Sequence, residues 1–456
     1  MQAYLDTFEK HKTYFDTGVT RDVEWRKQQL SRLADLIKEN KNAVFSALQK
    51  DLGKSKQEAY ITEVGYVLSD IKHKLKRIKK WSRAKKVKTP LAAMPAHSFI
   101  QPQPLGTVLI IGAWNYPFQL LLAPFVAAIS AGNCAILKPS ELAPNVSQLI
   151  ADLVPKYLDE KAFSVVQGGK DETSGLLELS FNKIFYTGGE VVGKIVMTAA
   201  AKHLTPVTLE LGGKSPCVVD TTADLAVTAN RIVWGKFMNA GQTCIAPDYI
   251  LVEPSIKQQL IDELIKAIET QYTATPKTSK DYGRIVNERH CQRLSDYLSN
   301  QKVVYGGDVD IQQKYMAPTL VVDPELSDPL MQEEIFGPIL PIVEMNSRNA
   351  MLSFIQQRPQ PLAAYLFTQD DEFEYRFVDE VSAGNMCIND ISMFALNHEL
   401  PFGGVGTSGM GRYHGKFGFD TFSHHKAVMH RSFSMENTLR YAPFSKIKFW
   451  LLKRFI

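Results

Sequence analysis

Apolar residues in the first 88 positions follow a helical pattern. They recur three and four residues apart, as an amphipathic helix requires, at Trp25, Leu30, Leu33, Leu36, Ile37, Val44, Phe45 and Leu48. Ten lysines and arginines then lie between Lys72 and Lys88. Charge at this density is typical of a solvated helix face, so we predict helices throughout residues 1–88 and no binding patch there.

The pattern changes at residue 105, where short apolar runs begin to alternate with segments of helix length. The runs cover residues 107–111, 135–137, 163–166, 183–186 and 207–209. Segments such as 118–130 and 145–157 separate them and have the length of helices. This alternation predicts an α/β fold with a doubly wound parallel sheet, which places ligands at the carboxyl ends of its strands.

A second α/β series begins near residue 215 and predicts a second domain with its own doubly wound sheet. Its strand-like runs are 217–219, 249–252, 303–305, 319–322, 362–367 and 386–389, with helices expected at 225–238 and 256–272. The boundary between the two domains is expected near residue 211. Residues 98–105 and 421–433 are also strand-prone and lie between polar turns, so they could pair as a small separate arm.

Length and charge narrow the function classes. A chain of 456 residues is too long for one core, and 45% hydrophobic with 22% charged residues is ordinary for a globular protein. The net charge of +4 comes from the tail, because without Lys446, Lys448, Lys453 and Arg454 the chain has 48 basic and 48 acidic residues. A balanced body argues against a nucleic-acid-binding surface spread over the fold.

The cysteines point to a reducing compartment. There are five, with no CxxC pair among them: Cys134, Cys217, Cys244, Cys291 and Cys387. They indicate neither a zinc site nor a disulfide framework, and the N-terminus has no signal-peptide pattern, so we expect a cytoplasmic protein. The longest apolar run, residues 120–131, contains Pro124 and is too short to cross a bilayer, so it predicts a buried helix.

Candidate chemistry lies where the predicted strands end. Asn115 follows the first strand in IIGAWNYPFQLLL, where its carboxamide could donate a hydrogen bond to an oxyanion or could cap a helix. Lys138 and Glu141 follow the second strand in ILKPSELAP. They could contact the ribose of a dinucleotide, or they could be the surface charges of a capped helix.

Two glycine-rich stretches carry different signals. Gly188, Gly189 and Gly193 follow the fourth strand in IFYTGGEVVGK, where small residues would let a backbone approach a pyrophosphate at a helix N-terminus. The stretch is not G-x-G-x-x-G, so by itself it is a weak signal. The later stretch PFGGVGTSGMGRYHG, residues 401–415, is too glycine-rich for regular structure and predicts an extended segment packed closely on another backbone.

Glu210 and Cys244 are candidates for a catalytic pair. Glu210 ends a strand in TLELGGKSP, Cys244 lies in MNAGQTCIAPD, and one predicted helix separates the two residues. A general base and a thiol presented from neighbouring loops suit covalent catalysis followed by hydrolysis. The alternatives are a carboxylate held in a salt bridge and a cysteine that is a small buried hydrophobe.

Taken together, these stretches resemble the aldehyde dehydrogenase superfamily. Seven of its motifs occur in order between residues 114 and 411: WNYP, KPSE, YTGGEVVG, LELGGKSP, NAGQTC, EEIFGP and PFGGVGTSGMG. The short N-terminus and the run GMGRYHGKFGFDTFSHHK resemble the class 3 branch, whose members are typically dimers. The resemblance implies oxidation of an aldehyde, expected to be apolar aliphatic or aromatic, to the acid through a cysteine thiohemiacetal and thioester.

The resemblance also implies residue roles. Cys244 would be the nucleophile and Glu210 the general base, and Asn115 would form the oxyanion hole with the backbone N–H of Cys244. The cofactor NAD, or NADP, would contact Lys138 and Glu141 at the adenine-side ribose, Gly188, Gly189 and Gly193 at the pyrophosphate, and Glu334 and Phe336 at the nicotinamide ribose and ring. Trp234 and Met238 would line the substrate channel, although core packing explains that pair equally well.

One position departs from the family pattern. Gly189 stands where many members have a serine, so a hydroxyl that could contact phosphate is missing and cofactor affinity is in question. Glu141 favours NAD, because a carboxylate repels a 2′-phosphate, but the class 3 branch often accepts NADP as well. The implied domains are 1–97 with 106–210 for NAD(P) binding, 211–415 for catalysis, 98–105 with 416–435 as an oligomerisation arm, and 436–456 as a basic aromatic tail.

The tail has two interpretations. Residues 444–456, FSKIKFWLLKRFI, combine four basic residues with large apolar ones. They could attach weakly to an anionic membrane surface, at the inner face of the membrane and near lipid-derived aldehydes, or they could dock on the partner subunit of a dimer.

Three other functions are compatible with parts of the pattern. A thiol hydrolase acting on esters would use Cys244 and Glu210, but it leaves the nucleotide-site motifs without a role. A non-catalytic binding protein would not need Cys244, Glu210 and Asn115 together. A CoA-acylating enzyme is disfavoured because Glu210, as a hydrolytic base, would waste the thioester.

Overall fold

Two mainly parallel sheets and a small antiparallel sheet organise the computed structural model of the chain, which describes residues 2–436 and 438–455. The strands are β1 (Lys85–Val87), β2 (Ala96–Pro104), β3 (Thr107–Ile111), β4 (Cys134–Lys138), β5 (Phe163–Val165), β6 (Lys183–Thr187), β7 (Val207–Glu210), β8 (Pro216–Val219), β9 (Tyr249–Val252), β10 (Val303–Tyr305), β11 (Val309–Asp310), β12 (Tyr315–Met316), β13 (Thr319–Val322), β14 (Ile339–Glu344), β15 (Ala363–Phe367), β16 (Asn385–Ile388), β17 (Gly409–Met410) and β18 (Ser423–Arg431). The helices are α1 (Gln2–Asp16), α2 (Val23–Leu52), α3 (Lys56–Ala59), α4 (Gly65–Trp81), α5 (Gln119–Ala131), α6 (Pro144–Tyr157), α7 (Lys170–Leu177), α8 (Glu190–Ala201), α9 (Leu225–Phe237), α10 (Pro254–Tyr272), α11 (Glu288–Tyr297), α12 (Pro329–Gln332), α13 (Arg348–Gln356), α14 (Asp371–Glu380), α15 (Gly415–Thr421) and α16 (Lys446–Phe455).

The first sheet has the strand order β17-β7-β6-β3-β4-β5. Its strands are parallel except for β17, which pairs antiparallel with β7. Every residue of β3 and β4 is buried, as expected for strands covered by helices on both faces. One covering helix is α5, which is buried from Leu120 to Ala131, so the apolar run predicted as a buried helix is confirmed.

The second sheet has the order β10-β13-β14-β9-β8-β15-β16, with β10 antiparallel and the other strands parallel. All six predicted strands of this series are present, but β14 was not predicted, because Pro341 argues against a central strand. Pro341 lies opposite Val321 of β13, and pairing with β9 begins only at Ile342. Proline has no backbone N–H to donate, but β9 does not pair with Pro341, so no strand hydrogen bond is lost on that side.

The third sheet is the predicted arm. Strands β2 and β18 pair antiparallel over nine residue pairs, from Ser423 opposite Pro104 to Arg431 opposite Ala96. A third strand, β1, pairs with β2, so the prediction of helix throughout residues 1–88 is wrong after α4. All three residues of β1 are exposed, and its two lysines suit the edge of a sheet.

The basic segment from Lys72 to Lys88 is largely solvated, as predicted, since eight of its ten lysines and arginines are exposed, and Lys74 is the buried exception. Lys74 is buried in α4 and forms an ion pair with Asp70, one helical turn earlier. Its charge is therefore paired inside the protein. Within residues 2–436 and 438–455, no helix is both long enough and apolar enough to cross a membrane.

Candidate functional site

Cys244 follows α9 through a tight turn whose backbone is strained. Asn239 and Ala240 have φ angles of 53° and 50°, in the left-handed region that residues other than glycine rarely adopt. At Gly241, a Cβ atom would lie 2.2 Å from the carbonyl oxygen of Gly337, so the turn packs directly on the segment before β14. Such strain persists only where surrounding contacts hold it, and it is common at functional sites.

The Cys244 thiol is half-buried, and its environment disfavours the thiolate. Burial is the largest effect on its pKa, and the carboxylates of Glu334 and Glu210 add to it, so that the pKa rises to about 12. The thiol is therefore protonated at neutral pH, and it must lose its proton before it can act as a nucleophile.

Glu210 ends β7 and is buried. Neither of its carboxylate oxygens has a hydrogen-bond partner in the part of the chain that the structure describes. The salt bridge considered from the sequence is therefore wrong within that part. Burial raises the pKa of Glu210 well above its usual range, so this carboxyl group holds a proton more readily than an exposed one.

Asn115 lies between β3 and α5, beside the cysteine turn. Its Nδ2 donates a hydrogen bond of 3.0 Å to the carbonyl oxygen of Gln242, two residues before Cys244. The alternative role as a helix cap is wrong, because Phe118 occupies the N-cap position of α5. The structure therefore brings Asn115 and the Cys244 loop together.

A largely apolar pocket opens beside Cys244. Trp234 of α9 and Met238, which directly follows α9, both line it. Its other walls include Leu120, Leu396 and Phe402 among the apolar residues and Tyr66, Tyr116 and His414 among the polar ones. The sequence did not single out Tyr66 or His414, although His414 lies within the glycine-rich stretch 401–415.

That glycine-rich stretch has the close backbone packing predicted for it. It contains β17, and a Cβ atom at Gly409 would lie 2.1 Å from the carbonyl oxygen of Leu209 in β7. A Cβ atom at Gly404 would lie 2.1 Å from the carbonyl oxygen of Ser408. A larger side chain at Gly409 would push the segment away from β7, the strand that carries Glu210, and one at Gly404 would disrupt the turn within the segment.

Lys138 and Glu141 lie at the carboxyl end of β4. Lys138 is buried, its Nζ donates to the carbonyl oxygen of Pro139 over 2.9 Å, and a carboxylate oxygen of Glu141 lies 3.7 Å away. Burial lowers the pKa of Lys138. Its interpretation as a surface charge is therefore wrong, and the helix that follows, α6, begins at Pro144, close to the segment 145–157 predicted from the sequence.

The three glycines after β6 have different surroundings. Gly189 is the N-cap of α8, and a Cβ atom there would meet open space. A Cβ atom at Gly188 would lie 2.2 Å from the hydroxyl oxygen of Tyr186, and one at Gly193 would lie 2.9 Å from Cδ2 of Leu211. Side chains at Gly188 and Gly193 would have to displace Tyr186 and Leu211, whereas Gly189 leaves the N-terminus of α8 accessible.

Glu334 and Phe336 lie in the segment before β14, which packs on the turn after β7. A Cβ atom at Gly212 would lie 2.2 Å from a carboxylate oxygen of Glu334, so a side chain there would displace the Glu334 carboxylate. Burial, followed by the charge of Asp248, raises the pKa of Glu334 to about 8. Phe336 has a φ angle of 50° and packs edge-to-face on Trp114, with ring centroids 5.3 Å apart.

These residues fit a dinucleotide. The open N-terminus of α8 suits a pyrophosphate, and the exposed Val191 and Ile195 of the same helix offer an apolar surface for a base. Glu334 provides a carboxylate close enough to Cys244 to raise the pKa of the thiol, and Phe336 provides an aromatic ring two residues further along the same segment. No group of three or more metal-ligating side chains occurs within the ranges that the structure describes.

Comparison with known proteins gives the same assignment. The profile described as "Aldehyde dehydrogenase family" matches residues 7–428. The chain is 48% identical to 4,4'-diaponeurosporen-aldehyde dehydrogenase of Staphylococcus aureus (strain NCTC 8325 / PS 47), with 100% of this chain and 99% of that protein covered. It is 46% identical to "Aldehyde dehydrogenase, dimeric NADP-preferring" of Rattus norvegicus, with 97% and 98% covered.

A solved structure extends the agreement to the fold. The structure "Substrate bound state of Staphylococcus Aureus AldH" superposes with a TM-score of 0.97 at 47% identity, with 99% of this chain and 98% of that chain covered. The expectations of an aldehyde-oxidising enzyme that uses NAD or NADP are confirmed by these matches. The chain belongs to the aldehyde dehydrogenase family.

Proposed function

We propose that the substrates of this enzyme are apolar aliphatic or aromatic aldehydes and that Cys244, Glu210 and Asn115 carry the reaction. The observation on which the proposal rests is that Cys244 shares a largely apolar pocket with Trp234 and Met238. An unpaired buried carboxyl group and a carboxamide donor lie at the same site. This combination suits acyl chemistry on an apolar carbonyl compound.

In the first step, the Cys244 sulfur attacks the carbonyl carbon and forms a thiohemiacetal, while its proton passes to Glu210 or to water. The negative oxygen is stabilised by the backbone N–H of Cys244 and by Asn115. The carboxamide of Asn115 has two N–H donors, so one can stay with Gln242 while the other binds the oxyanion. Each such donor contributes about 3 kcal/mol to transition-state stabilisation.

NAD or NADP, when bound, would supply the acceptor for the hydride of the thiohemiacetal carbon. Lys138, Glu141, Gly188, Gly189, Gly193, Glu334 and Phe336 would hold it. The remaining thioester is opened by water, from which Glu210 takes a proton once any proton accepted from the thiol has passed to solvent. Collapse of the tetrahedral intermediate then releases the carboxylic acid and regenerates the Cys244 sulfur.

The first experiment measures nicotinamide reduction with a series of aliphatic and aromatic aldehydes, with NAD and NADP offered separately. We expect kcat/KM to rise with chain length, up to about fourfold per added methylene, because each buried CH₂ contributes about 0.8 kcal/mol. Cys244→Ala should abolish reduction, and residual turnover above about 2% of the wild-type rate would refute its role as nucleophile. If no aldehyde is oxidised while a reporter ester is cleaved, the enzyme is a thiol hydrolase.

The apolar character of the pocket also agrees with the named substrate of one relative. The Staphylococcus aureus protein that is 48% identical is named for 4,4'-diaponeurosporen-aldehyde. We extend only the chemical class, a long apolar aldehyde, to this chain. Its pocket walls Leu120, Trp234 and Phe402 would contact the chain of such a substrate.

We also propose a cytoplasmic homodimer with the domain roles given above. The first sheet and its helices would bind the cofactor, residues 211–415 would supply the nucleophile, and the β2–β18 arm would bridge two subunits. The rat relative is named dimeric, and all five cysteines of this chain are free. Free thiols agree with a reducing compartment.

The tail is proposed to contact anionic lipid weakly. In α16, Phe449 and Trp450 are exposed, with Lys453 4.7 Å from the Phe449 ring centroid and Arg454 5.1 Å from that of Trp450. A face that mixes cations with aromatic rings suits an anionic lipid surface better than a protein interface, where lysine is depleted.

Vesicle flotation tests the lipid contact. Full-length protein should float with phosphatidylglycerol vesicles and less with phosphatidylcholine vesicles, and a chain ending at Tyr441 should float with neither. Equal behaviour of the two proteins would refute the lipid contact. If the shortened chain instead dissociates to monomers, the tail docks on the partner subunit.

A further inference from the structure

A buried ion pair lies directly behind Asn115. Lys54 and Glu63 are both almost completely buried, and Nζ of Lys54 lies 2.6 Å from Oε1 of Glu63. The same Nζ donates to the backbone carbonyl oxygen of Asn115 over 2.9 Å. Burying two charges carries a high desolvation cost, which is offset only by good geometry and further hydrogen bonds. The partners of those further hydrogen bonds therefore identify the segment that the ion pair fixes in place.

Glu63 holds the other end of the Asn115 loop. Its Oε2 accepts the backbone N–H groups of Phe118, over 3.0 Å, and Gln119, over 2.9 Å. These groups belong to the start of α5, where helical N–H groups have no partner within the helix. Glu63 itself lies in a π-helical turn, Tyr60–Val64, a rare conformation that is frequent at functional sites.

The Asn115 carbonyl is also tied to the cysteine loop. Asn239, in its left-handed conformation, donates from Nδ2 to the carbonyl oxygens of Asn115, over 2.8 Å, and Gln242, over 3.1 Å. Lys54 and Asn239 thus share one acceptor. In addition, the Lys54 ammonium lies 3.9 Å from the ring centroid of Tyr116, whose hydroxyl is 2.6 Å from Oγ1 of Thr243.

We infer that Lys54 and Glu63 are positioning residues for the oxyanion hole. This inference rests on the proposed role of Asn115. The pair fixes both ends of residues 115–119, so the Asn115 carboxamide is held toward the Cys244 loop before substrate binds. Donors that are fixed in advance need no reorganisation when negative charge develops on the substrate oxygen.

The test is a double-mutant cycle between Lys54→Met and Asn115→Ala. With Asn115 present, Lys54→Met should lower kcat for aldehyde oxidation and for reporter-ester hydrolysis by about tenfold to a hundredfold, because a misplaced catalytic group costs about that much. KM for the aldehyde and the dissociation constant for NAD should change less than about threefold. In an Asn115→Ala background, Lys54→Met should lower kcat less than about threefold, because the carboxamide that Lys54 positions is already absent.

A matched control separates positioning from general loss of a buried charge. Lys74 is equally buried and paired with Asp70, but no hydrogen bond joins it to the Asn115 loop. Lys74→Met should lower the unfolding temperature and leave kcat within about twofold of wild type. If it lowers kcat as much as Lys54→Met does, the inference is wrong.

Glu63→Gln is the second variant and carries the test if Lys54→Met does not fold. It keeps one oxygen for the N–H groups of Phe118 and Gln119 but removes the charge that pairs with Lys54. It should lower kcat less than Lys54→Met does, again only when Asn115 is present. An equal loss with and without Asn115, or an effect on KM alone, would overturn the inference. Wild-type protein that hydrolyses the ester but reduces no nicotinamide would overturn the proposed function instead, and the ester data would still test the positioning.

Discussion

Cys244 lies in an electrostatic environment that opposes its own ionisation. Burial and the charges of Glu334 and Glu210 raise its pKa to about 12. Below that pKa the thiolate fraction rises tenfold for each pH unit, and it is the thiolate that reacts with alkylating agents. The alkylation rate of the cofactor-free enzyme should therefore keep rising, with no plateau, from pH 7 to pH 9.

Replacing Glu334 by glutamine should make Cys244 more reactive. After burial, the charge of Glu334 is the largest cause of the raised pKa of the thiol, and glutamine removes that charge at nearly constant size. We expect iodoacetamide to alkylate Cys244 about threefold faster or more at about pH 9.5, where Glu334, with its pKa of about 8, carries its charge in the wild type, because a lower thiol pKa increases the thiolate fraction. The rate measured on Cys244→Ala is subtracted, since the half-buried Cys387 can also react.

Glu333→Gln is the matched control for this change. Its carboxylate accepts a hydrogen bond of 2.6 Å from the hydroxyl of Tyr297, and its charge is not among the causes that act on Cys244. It should leave the alkylation rate unchanged. A rate in Glu334→Gln equal to or below that of wild type would contradict the electrostatic argument.

Cys244, Glu210 and Asn115 could be proposed from the sequence because each lies in a short motif that resembles the aldehyde dehydrogenase family, Asn115 and Glu210 where strands end and Cys244 in the turn after α9. Lys54 could not, because it lies in GKSKQEAY, a polar stretch typical of the surface. Its burial depends on a hydrogen bond to Asn115, 61 positions later. The pattern of a single segment holds no signal for a contact of that range.

At the scale of elements, the N-terminus of α8 is the part of the cofactor region that tolerates change. Gly189 has φ −77° and ψ 154°, which any residue adopts, and open space around it. No side chain caps the helix at this position. A serine there can accept a helix N–H group and can also offer its hydroxyl to a phosphate.

Gly189→Ser should therefore tighten cofactor binding without a cost in stability. We expect the dissociation constant for NAD to fall by at least about fivefold, since one hydrogen bond to a charged group contributes about 1 kcal/mol or more. The unfolding temperature should stay the same or rise slightly. Fluorescence titration with NAD and NADP and thermal unfolding measure the two effects.

Gly193→Ser is the contrasting control on the same helix. Its Cβ atom would lie 2.9 Å from Cδ2 of Leu211, so the side chain must displace a packed leucine. The unfolding temperature should fall, and NAD binding should not improve. If Gly189→Ser weakens NAD binding instead, the pyrophosphate is not bound at this helix end.

Elements with a strong hydrophobic pattern were predicted well, and weakly patterned ones were not. The runs at 107–111, 249–252 and 319–322 coincide with strands β3, β9 and β13. Strand β14 was missed because a proline argues against a central strand. Here Pro341 is tolerated because it pairs with β13 alone and not with β9. Strand β1 was missed because it contains Lys85 and Lys86 and is defined by pairing with β2 rather than by burial.

At the scale of the whole molecule, the arm is a sheet that is largely exposed in a single chain. Strand β18 buries only Ser423 of its nine residues, and β1 is exposed along its length. A small sheet that is open on its faces is marginally stable alone, and a long open edge invites pairing. The alternation of strands and helices predicts the two large sheets, and the strand-prone segments 98–105 and 421–433 predict the arm. The pattern of one chain does not indicate which surface covers the faces of the arm.

A second copy of the chain is the proposed cover, and the arm provides the test. Ala427 and Met429 point to one face of β18, and both are exposed. Replacing both by glutamate would bury two unpaired charges in a dimer, so the dimer dissociation constant should rise by at least about a hundredfold. His424→Glu with His430→Glu adds the same charge on the other face and should change it less than about fivefold. Sedimentation velocity across protein concentrations measures both. A wild-type protein that is monomeric at micromolar concentration, or equal effects of the two pairs, would exclude this face as the dimer contact.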